Sequence, residues 1–362
     1  MKVTKLELNH FRNYDSLKMN FDSNTNILYG KNAQGKTNIL ESIYLCSTTK
    51  SHRSSKDAEL IQFQHDEGHI KLFVNKGEKE YRIDIHFRKN KSKGIAINGI
   101  PIKKASELFG IFNVIFFSPE DLNIIKNGPA ERRRFIDMEL CQLDKIYVYN
   151  LIHYNKILSQ RNQLLKDIYF RPDLKDTLDV WDMQLAEYGS KVIKRREDFI
   201  RDINKIIKPI HGKLTNHQED IDVIYSKNCE EDNLYEQIIK HREKDMKLKT
   251  TSIGPHRDDI LFFNGDINIR IYGSQGQKRT VALSLKLAEI ELVKHLIHDT
   301  PVLLLDDVLS ELDSDRQNHL LQSLENIQTI ITCTGLDEFI ENRFQINKIF
   351  RVTEGNVKEK TV

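Results

Sequence analysis

A glycine-rich segment near the start of the chain has the residue types and the spacing that bind phosphate. It reads Gly30-Lys31-Asn32-Ala33-Gln34-Gly35-Lys36-Thr37 and fits the pattern G-x-x-x-x-G-K-[ST]. In such a loop the backbone N–H groups close around phosphate oxygens, and the N-terminus of the following helix adds favourable positive charge. We expect Lys36 to reach the β- and γ-phosphates of a bound nucleotide and to assist catalysis, and Thr37 to hold Mg²⁺.

A second segment supplies carboxylates of the kind that complete such a site. Leu303-Leu304-Leu305-Asp306-Asp307 has the form of a Walker B strand. Its apolar run predicts a central strand buried on both faces, and ligands bind at the carboxyl ends of such strands in open α/β sheets. We expect Asp306 to hold Mg²⁺ and Asp307 to orient and deprotonate the attacking water. A strand that merely ends in two solvated aspartates is the alternative, and the phosphate loop on the same chain disfavours it.

The segments around the phosphate loop predict the elements that would position it. Asn26-Ile27-Leu28-Tyr29 precedes the loop and is typical of a short apolar strand, and residues 38–45 follow it with helical spacing. Alternating apolar residues over 3–8 and 17–21 predict further strands, and residues 114–117 predict a short buried one. The N-terminal part of the chain therefore has the pattern of an α/β unit.

The middle of the chain, from about Gly128 to Lys249, changes to the pattern of long helices. Apolar residues recur there at helical spacing, and the second stripe continues as far as Pro209, where we expect its helix to end. One apolar stripe per helix predicts a helical hairpin or a small bundle and not a second enzymatic core. The two stripes comprise Tyr147, Leu151, Tyr154 and Leu158, then Leu185, Tyr188, Val192, Phe199, Ile203 and Ile206.

Strand character returns near the C-terminal end. Residues 260–271 predict a hairpin through Asn264-Gly265. A helix is expected to open near residue 275 and to run to about His298, and residues 329–333 predict another strand. The chain thus returns to α/β character after the helical segment.

Basic residues cluster at three places in the helical segment. Each cluster is read either as a solvated helix face, which is the more common case, or as a contact to the phosphate backbone of nucleic acid. The acidic neighbours Glu197 and Asp198 weaken the second interpretation for one of them. The clusters are Arg132-Arg133-Arg134, then Lys194-Arg195-Arg196, and then Lys244, Lys247 and Lys249.

The composition describes a soluble, highly charged globular protein. With 362 residues, of which 39% are hydrophobic and 30% charged, the chain is long enough for roughly two domains, or for one domain with a large insertion. No apolar run approaches the roughly 20 residues that span a membrane, and the N-terminus lacks a signal-peptide core, so we expect a cytoplasmic protein with no membrane partner. The net charge of +2 restricts nucleic-acid binding to local patches.

The segment Gly273-Ser274-Gln275-Gly276-Gln277 resembles the signature loop of ATP-binding-cassette ATPases, which places serine and glycine at a helix N-terminus. In that family the loop contacts the γ-phosphate of ATP bound to a second head, so that two ATP molecules lie between two heads. The resemblance therefore assigns Ser274, Gln275, Gly276 and Gln277 to nucleotide binding in trans. The segment Ser310-Glu311-Leu312-Asp313 matches the family's D-loop, which also crosses the dimer.

The order of these motifs, with a helical insertion after the first, resembles the SMC/Rad50/RecF-type branch of these ATPases. The insertion is far too short for the long coiled coil of SMC proteins, and the match to the RecF family is closer. It spans nearly the whole chain and is highly specific. The matching segments are Phe11-Arg12-Asn13-Tyr14 and residues 30–38, 117–122, 128–137, 254–259 and 272–279.

This resemblance implies an α/β fold, an ABC-type P-loop ATPase head with a mixed sheet flanked by helices and an inserted helical arm. The head would comprise residues 1–127 and 250–362, and the arm residues 128–249. ATP and Mg²⁺ would be the cofactors, and ATP would drive a homodimer. RecF-like proteins bind duplex DNA and single-strand/duplex junctions with little sequence specificity, as backbone contacts would give. They act with RecO and RecR to load RecA at gaps, and they are linked to replication, recombination and SOS induction.

Two features depart from transporter-type cassettes, and a further role, that of the Q-loop, has one candidate residue. Asp307 stands where those ATPases usually carry Glu, which places its oxygen about one bond further from the water. The switch histidine common in the superfamily is missing, so Thr332 or Thr334 would have to contact the γ-phosphate. Both features suggest slow hydrolysis, in which ATP mainly closes the dimer, and the resemblance implies a weak, DNA-dependent ATPase. The Q-loop role falls within residues 118–121, with Glu120 as the candidate.

Two hypotheses about function stay open at this point. The first is a slow ATPase whose ATP-bound dimer clamps duplex DNA, and the second is an essentially non-catalytic, nucleotide-switched scaffold for recombination mediators. Asp307→Asn should stop turnover and preserve ATP-dependent DNA binding in both, and only the first predicts that DNA is then not released. The helical insertion disfavours a transporter nucleotide-binding domain, and a P-loop kinase would leave residues 274–277 without a role.

Overall fold

The computed structural model describes residues 1–54, 56–309, 312, 316–317, 319–320, 324, 326–335 and 346–360. Contacts divide the chain into two compact units. The first comprises Met1–Asp121 and Glu289–Val362, and the second comprises Leu122–Ala288. The chain leaves the first unit once and returns to it once, as an insertion does.

One sheet of the first unit is antiparallel and amphipathic. Its strands are β1 (Lys2–Phe11), β2 (Tyr14–Asn20), β4 (Glu67–Lys76), β5 (Lys79–Arg88), β6 (Lys91–Ile97) and β7 (Ile100–Pro101), and their order in the sheet is β2-β1-β4-β5-β6-β7. In β4 the residues Ile70, Leu72 and Val74 are buried while their neighbours are exposed or half-buried. This period of two places one face on the core and the other in solvent.

The second sheet of the first unit is mixed and carries the phosphate loop. Its strands are β3 (Thr25–Tyr29), β8 (Val114–Phe117), β12 (Val302–Asp306), β13 (Thr329–Cys333), β14 (Ile346–Thr353) and β15 (Asn356–Lys360), in the order β15-β14-β3-β13-β12-β8. All neighbours are parallel except β15, which runs antiparallel to β14. The helix α1 (Lys36–Thr48) follows β3. Leu305 and Ile27 both pair with Ile331, so the carboxyl ends of β3, β13 and β12 lie at one edge.

The second unit is mainly helical. Its helices are α2 (Leu122–Lys126), α3 (Pro129–Leu143), α4 (Lys145–Asp167), α5 (Leu178–Leu214), α6 (Leu234–Lys240), α7 (Arg242–Leu248), α8 (Ile269–Tyr272) and the first part of α9 (Gln275–Ile297). A small sheet has the order β11-β10-β9, formed by β9 (Asp222–Ser226), β10 (Asp259–Asn264) and β11 (Ile267–Asn268). The 37 residues of α5 extend about 55 Å and form a hairpin with α4.

The predicted fold class is confirmed, with two local errors. The prediction that the long helix ends at Pro209 is wrong, because α5 continues to Leu214. Buried residues on either side of the proline, Ile207 and His211, hold the helix there, and His211 Nδ1 lies 2.8 Å from Ser284 Oγ. The prediction of a strand through residues 269–271 is also wrong, because Asn268 caps a short helix by accepting a hydrogen bond from the Arg270 N–H.

The expected division of the chain at residues 128 and 249 followed from the change of sequence pattern. The contact-based unit instead begins at Leu122 and includes the sheet of β9, β10 and β11, since β9 packs against α5. The division into head and arm therefore remains a proposal about function. Within the described part of the chain, none of the helices is both long and apolar enough to cross a membrane.

Candidate phosphate-binding site

The phosphate loop joins β3 to α1, and other parts of the first unit approach it so closely that two positions require glycine. At Gly35 the backbone has φ of 110°, and a Cβ there would lie 2.8 Å from the Tyr14 hydroxyl. At Gly30 a Cβ would overlap the carbonyl oxygen of Val352 in β14. Ala33 has a left-handed φ of 63°. The loop is thus fixed by its neighbours on two sides.

The first turn of α1 is arranged to receive an anion. In the described structure no side chain caps its start, and its first turn holds no acidic residue. The leading N–H groups of the 13-residue helix are therefore available to phosphate oxygens. Lys36 is buried, and its ammonium donates to the carbonyls of Gly30 at 2.6 Å and Lys31 at 3.1 Å. The ammonium thus lies inside the loop, where a phosphate would meet it.

The two motifs that the sequence separates meet at the carboxyl end of β12. The Thr37 hydroxyl donates to Asp306 Oδ1 at 2.9 Å, and the Thr332 hydroxyl donates to the same oxygen at 2.7 Å. Thr332 Oγ1 also accepts from the backbone N–H of Asp307 at 3.0 Å. Burial raises the pKa of the Asp306 carboxyl, as does the neighbouring Asp307, and hydrogen bonds from Thr332 and Thr37 oppose the shift.

These residues fit a bound Mg²⁺ ion. A hydroxyl and a carboxylate 2.9 Å apart are hard oxygen donors of the kind that Mg²⁺ takes beside nucleotide phosphates. A cation there would also favour the charged form of Asp306, which burial alone disfavours. Thr37 and Asp306 are therefore suited to the role expected of them. Asp307 has a left-handed φ of 53° directly after the strand.

The segment that follows β1 is hydrogen-bonded to the phosphate loop, a role that the sequence did not reveal. Asn13 Nδ2 donates to the Gln34 carbonyl at 3.1 Å, and the buried Tyr14 hydroxyl donates to the Gly35 carbonyl at 3.0 Å. Asn38, in the first turn of α1, donates to Asn13 Oδ1 at 2.8 Å. In the sequence, Phe11-Arg12-Asn13-Tyr14 is distinguished only by its family resemblance. Its contacts with the loop join residues that are 21 positions apart in the sequence, so no local pattern could predict them.

Arg12, in the same segment, forms an ion pair with the helix that follows the loop. Its guanidinium donates to both carboxylate oxygens of Glu41, at 2.9 and 2.8 Å, and Glu41 is fully buried. Ser51 also donates to this carboxylate. Burial alone would raise the pKa of Glu41, but the hydrogen bonds from Arg12 and Ser51 hold it below its ordinary value. The pair anchors α1, and thus the loop, to the end of β1.

The β14–β15 turn contacts the other side of the loop. The Glu354 N–H donates to Gln34 Oε1 at 2.7 Å, and the Gly355 N–H donates to the Gln34 carbonyl at 3.3 Å. Because Asn13 donates to the same carbonyl, Gln34 is hydrogen-bonded to both the N-terminal and the C-terminal part of the first unit.

The signature segment lies in the second unit, where Ser274 caps the start of α9. The Gln277 N–H donates to Ser274 Oγ at 3.1 Å, and the Ser274 N–H donates to Gln277 Oε1 at 2.8 Å. This is a reciprocal capping box. Gln277 Nε2 also donates to Glu219 at 3.0 Å. Ser274, Gln275 and Gly276 are exposed, so the helix terminus is open to a ligand brought by another molecule.

The remaining predicted residues divide into three groups. Glu120 is exposed on a short turn after β8. Of the two threonines proposed to contact the γ-phosphate, Thr332 is engaged with Asp306, and Thr334 is exposed. The D-loop residues Ser310, Glu311 and Asp313 lie outside the described residues.

Two of the three basic clusters each contain one buried arginine that forms its contacts inside the second unit. Arg132 is buried and donates to both oxygens of Asp259, at 2.6 and 3.0 Å. Arg196 is buried and donates to Asp137 at 2.8 Å and to the Pro255 carbonyl at 2.7 Å. These arginines cannot reach a nucleic-acid backbone without breaking buried ion pairs. The cluster formed by Lys244, Lys247 and Lys249 has no such buried member.

Comparisons with known proteins identify relatives over nearly the whole chain. A family model described as "RecF/RecN/SMC N terminal domain" matches residues 2–359. The "DNA replication and repair protein RecF" of Lachnospira eligens is 64% identical over 359 residues, which cover 99% of each chain. The corresponding protein of Agathobacter rectalis is 62% identical over 358 residues, with the same coverage.

A solved structure of a RecF protein has a similar fold over nearly its whole length. It is described as the recombination mediator protein RecF-ATP in the RecFOR pathway, and it superposes with a TM-score of 0.93 at 35% identity, covering 99% of this chain and 98% of the other. The Smc head domain of Pyrococcus furiosus matches with a TM-score of 0.58 at 17% identity, covering 100% and 96%. That second likeness concerns the fold alone.

Proposed function

Because this chain belongs to the RecF family of DNA replication and repair proteins, we propose that it binds DNA in an ATP-dependent manner as a homodimer. ATP would close two copies into a clamp on duplex DNA and on single-strand/duplex junctions. The observation that carries the proposal is the hydrogen bond between Thr37 and Asp306, which joins the two nucleotide motifs in one site. A relative solved with ATP supports the choice of nucleotide.

The residues of the loop supply the binding step. The open N-terminus of α1 and the Lys36 ammonium would take the β- and γ-phosphates, and Lys36 would exchange its two carbonyl partners for phosphate oxygens. Mg²⁺, held by Thr37 and Asp306, would neutralise charge on those phosphates. The loop residues Gly30, Lys31, Asn32, Ala33, Gln34 and Gly35 would surround the phosphates with backbone groups.

Asp307 is proposed to orient the attacking water and to accept its proton. The N–H of Asp307 is fixed by Thr332, so its position depends on the same hydroxyl that contacts Asp306. The short side chain suits slow turnover, in which hydrolysis opens the clamp and binding closes it. Residues 274–277 of one copy would contact the γ-phosphate held by the other, because they form an exposed helix N-terminus, where the partial positive charge favours an anion.

The cellular role follows from the family. We propose action with RecO and RecR in loading RecA at gapped DNA, with links to replication, recombination and SOS induction, in the cytoplasm. The solved relative is described as a recombination mediator of the RecFOR pathway, which supports this placement. Binding would be dominated by the phosphate backbone and would therefore show little sequence preference and strong salt dependence.

Sedimentation of wild type, Lys36→Met and Ser274→Arg, each with and without ATP, Mg²⁺ and a short duplex, tests the proposal. Wild type should become a DNA-bound dimer only with ATP. Lys36→Met should lose at least about 10-fold in ATP affinity and stay monomeric, since a charge-assisted contact is removed. Ser274→Arg should bind ATP and stay monomeric. Normal dimerisation of Ser274→Arg would show that ATP acts within one subunit.

The second hypothesis, a nucleotide-switched scaffold without useful hydrolysis, is separated by Asp307→Asn. In the clamp mechanism this variant should bind ATP and DNA normally and fail to release DNA after ATP is diluted. In the scaffold mechanism wild type and variant should release DNA at the same rate. The dissociation rate of a labelled duplex distinguishes the two.

A further inference from the structure

The end of the α4–α5 hairpin exposes two aromatic side chains that no role assigned so far explains. Tyr169 is 67% exposed and Phe170 is 78% exposed, and they follow directly after α4. Their rings meet edge to face, with centroids 5.1 Å apart and an interplanar angle of 88°. Leu248, at the end of α7, is also 56% exposed. Large apolar side chains exposed together indicate an interaction site.

The aromatic pair stands on a packed base. Leu165, Ile168 and Leu178 form a buried cluster against which Leu174 and Met246 pack. The backbone of the aromatic pair is also fixed, because the N–H groups of Phe170 and Arg171 both donate to the Asp167 carbonyl, at 3.0 and 2.9 Å. The tip therefore has its own small core, and the two rings are presented outside it in a defined arrangement.

One lysine contacts the aromatic pair, and two further lysines precede it on α7. The Lys249 ammonium lies 3.9 Å from the centre of the Tyr169 ring, a cation–π contact. Lys244 and Lys247 are exposed on α7, and neither has a carboxylate within 4.0 Å among the described residues. The acidic Glu243 beside them is paired with Lys175 at 3.1 Å. The basic cluster that has no buried member thus lies, through Lys249, beside one of the two exposed rings.

We propose that this tip, defined by Tyr169, Phe170, Lys247 and Lys249 and called here the arm-tip platform, binds unpaired DNA bases beside a duplex. The exposed face of Phe170 would stack on a base, a contact that every base can make. Lys247 and Lys249 would contact the phosphates that flank it. The proposal rests on the proposed function and deepens it, because it assigns the recognition of single-strand/duplex junctions to one named surface. Aromatic rings combined with lysines match nucleic acid better than they match an apolar protein surface.

The test compares three DNAs by fluorescence anisotropy on the full chain with ATP and Mg²⁺: a blunt duplex, the same duplex with a single-stranded overhang, and a single strand. The double variant Tyr169→Ala/Phe170→Ala is compared with Ile152→Ala. Ile152 is a matched control, because it is 53% exposed on α4 and about 25 Å from the tip along the helix. We expect the double variant to lose about 5- to 100-fold in affinity for the overhang DNA and to bind the blunt duplex within about 2-fold of wild type.

Two further readouts separate stacking from general charge. A 2-aminopurine base at the first unpaired position should be quenched by wild type and by Ile152→Ala, and not by the double variant. The double variant Lys247→Ala/Lys249→Ala should still quench the probe at low salt. The slope of log affinity against log salt concentration for overhang DNA should fall by about 2, which corresponds to two lost phosphate contacts.

The outcomes are distinct. If wild type binds none of the three DNAs, the proposed function fails and the platform fails with it. If wild type binds the duplex and the double variant retains full overhang affinity, only the platform is wrong, and an apolar protein partner is the better occupant. An equal loss of affinity for blunt and overhang DNA would also overturn the proposal. A blunt duplex has no unpaired bases, so the loss of stacking on such bases would not weaken its binding.

Discussion

The hydroxyl of Thr37 donates a 2.9 Å hydrogen bond to Asp306, although 269 residues separate the two. The contact exists because β3 and β12 both flank β13 in the same direction, so that their carboxyl ends meet at one edge of the mixed sheet. The phosphate loop and the carboxylates thus form one site only through the strand that lies between them.

Replacement of Thr37 tests its proposed part in metal binding. Thr37→Val removes the hydroxyl and preserves the shape, so Mg²⁺-dependent ATP affinity should fall about 10-fold, the loss of one contact to a charged group. Thr37→Ser keeps the hydroxyl and should bind within about 3-fold of wild type. Titration calorimetry with and without Mg²⁺ measures both. Equal affinities for the Val and Ser variants would contradict the assignment.

Gly35→Ala should damage the loop through the backbone. An added Cβ meets Asn13 and Tyr14 at a residue with φ of 110°, so we expect the free energy of unfolding to fall by about 2 kcal/mol or more. Gly94→Ala is the control, because a Cβ there meets no atom within 4 Å, and its stability should change by less than about 1 kcal/mol. Urea denaturation of both variants gives the comparison.

Arg12→Met should leave the buried Glu41 carboxylate without its ion-pair partner. Removing one member of a buried pair typically costs about 3–5 kcal/mol. Arg82→Met breaks the more exposed pair with Asp84 and should cost less than about 1 kcal/mol. Chemical denaturation at pH 7 measures both, and equal losses would show that burial of Glu41 carries no weight.

The pH dependence of the same pair has a defined sign. Arg12 and Ser51 hold the pKa of Glu41 below its ordinary value of 4.5, so the pair stabilises the fold above that pH and loses its effect as the pH falls through the lower, folded-state value. In Arg12→Met the unpaired carboxyl is more stable when protonated. The stability difference between wild type and variant should therefore shrink as the pH falls below about 5. A difference that is constant with pH would rule out this linkage.

Ser274 has two separable roles, one of which is structural. Ser274→Asp keeps an N-cap oxygen, since Asp caps as well as Ser, and should preserve thermal stability. It adds a negative charge where the partner's γ-phosphate is proposed to bind, and it should abolish ATP-dependent dimerisation. Ser274→Ala should lose about 1 kcal/mol of stability with the cap. Sedimentation and thermal unfolding on the same samples distinguish the roles, and a dimeric Asp variant would contradict contact in trans.

Arg196 and Lys194 should differ sharply although they are neighbours in one basic cluster. Arg196→Met removes a buried partner of Asp137 and should lower the free energy of unfolding by about 3–5 kcal/mol. Lys194→Ala removes a largely exposed charge and should leave stability within about 0.5 kcal/mol. Denaturation curves test the pair. If Arg196→Met were as stable as wild type, the cluster Lys194-Arg195-Arg196 would again be a candidate for DNA contact.

Sequence patterns predicted those parts of the molecule that depend on neighbouring residues. The apolar run at 303–305 and the glycines at 30 and 35 reflect local requirements of a buried strand and a tight loop, and both were located correctly. The support that Asn13 and Tyr14 give to the loop was not predicted, because it depends on how the connection between β1 and β2 packs against the loop. The same is true of Arg132 and Arg196, since only the tertiary structure places Asp259 and Asp137 beside them.

The position of β3 between β13 and β14 has a consequence for how the protein is made. The strand that leads into the phosphate loop is hydrogen-bonded on one side to residues 329–333 and on the other to residues 346–353. Gly30 also packs against Val352, and Gln34 is held by the turn that follows it. A nascent chain of only the first three hundred residues therefore has the phosphate motif without the neighbours that fix its conformation. We expect it to respond to ATP only after residues 329–355 have left the ribosome, and we expect chains that lack these residues to be inactive.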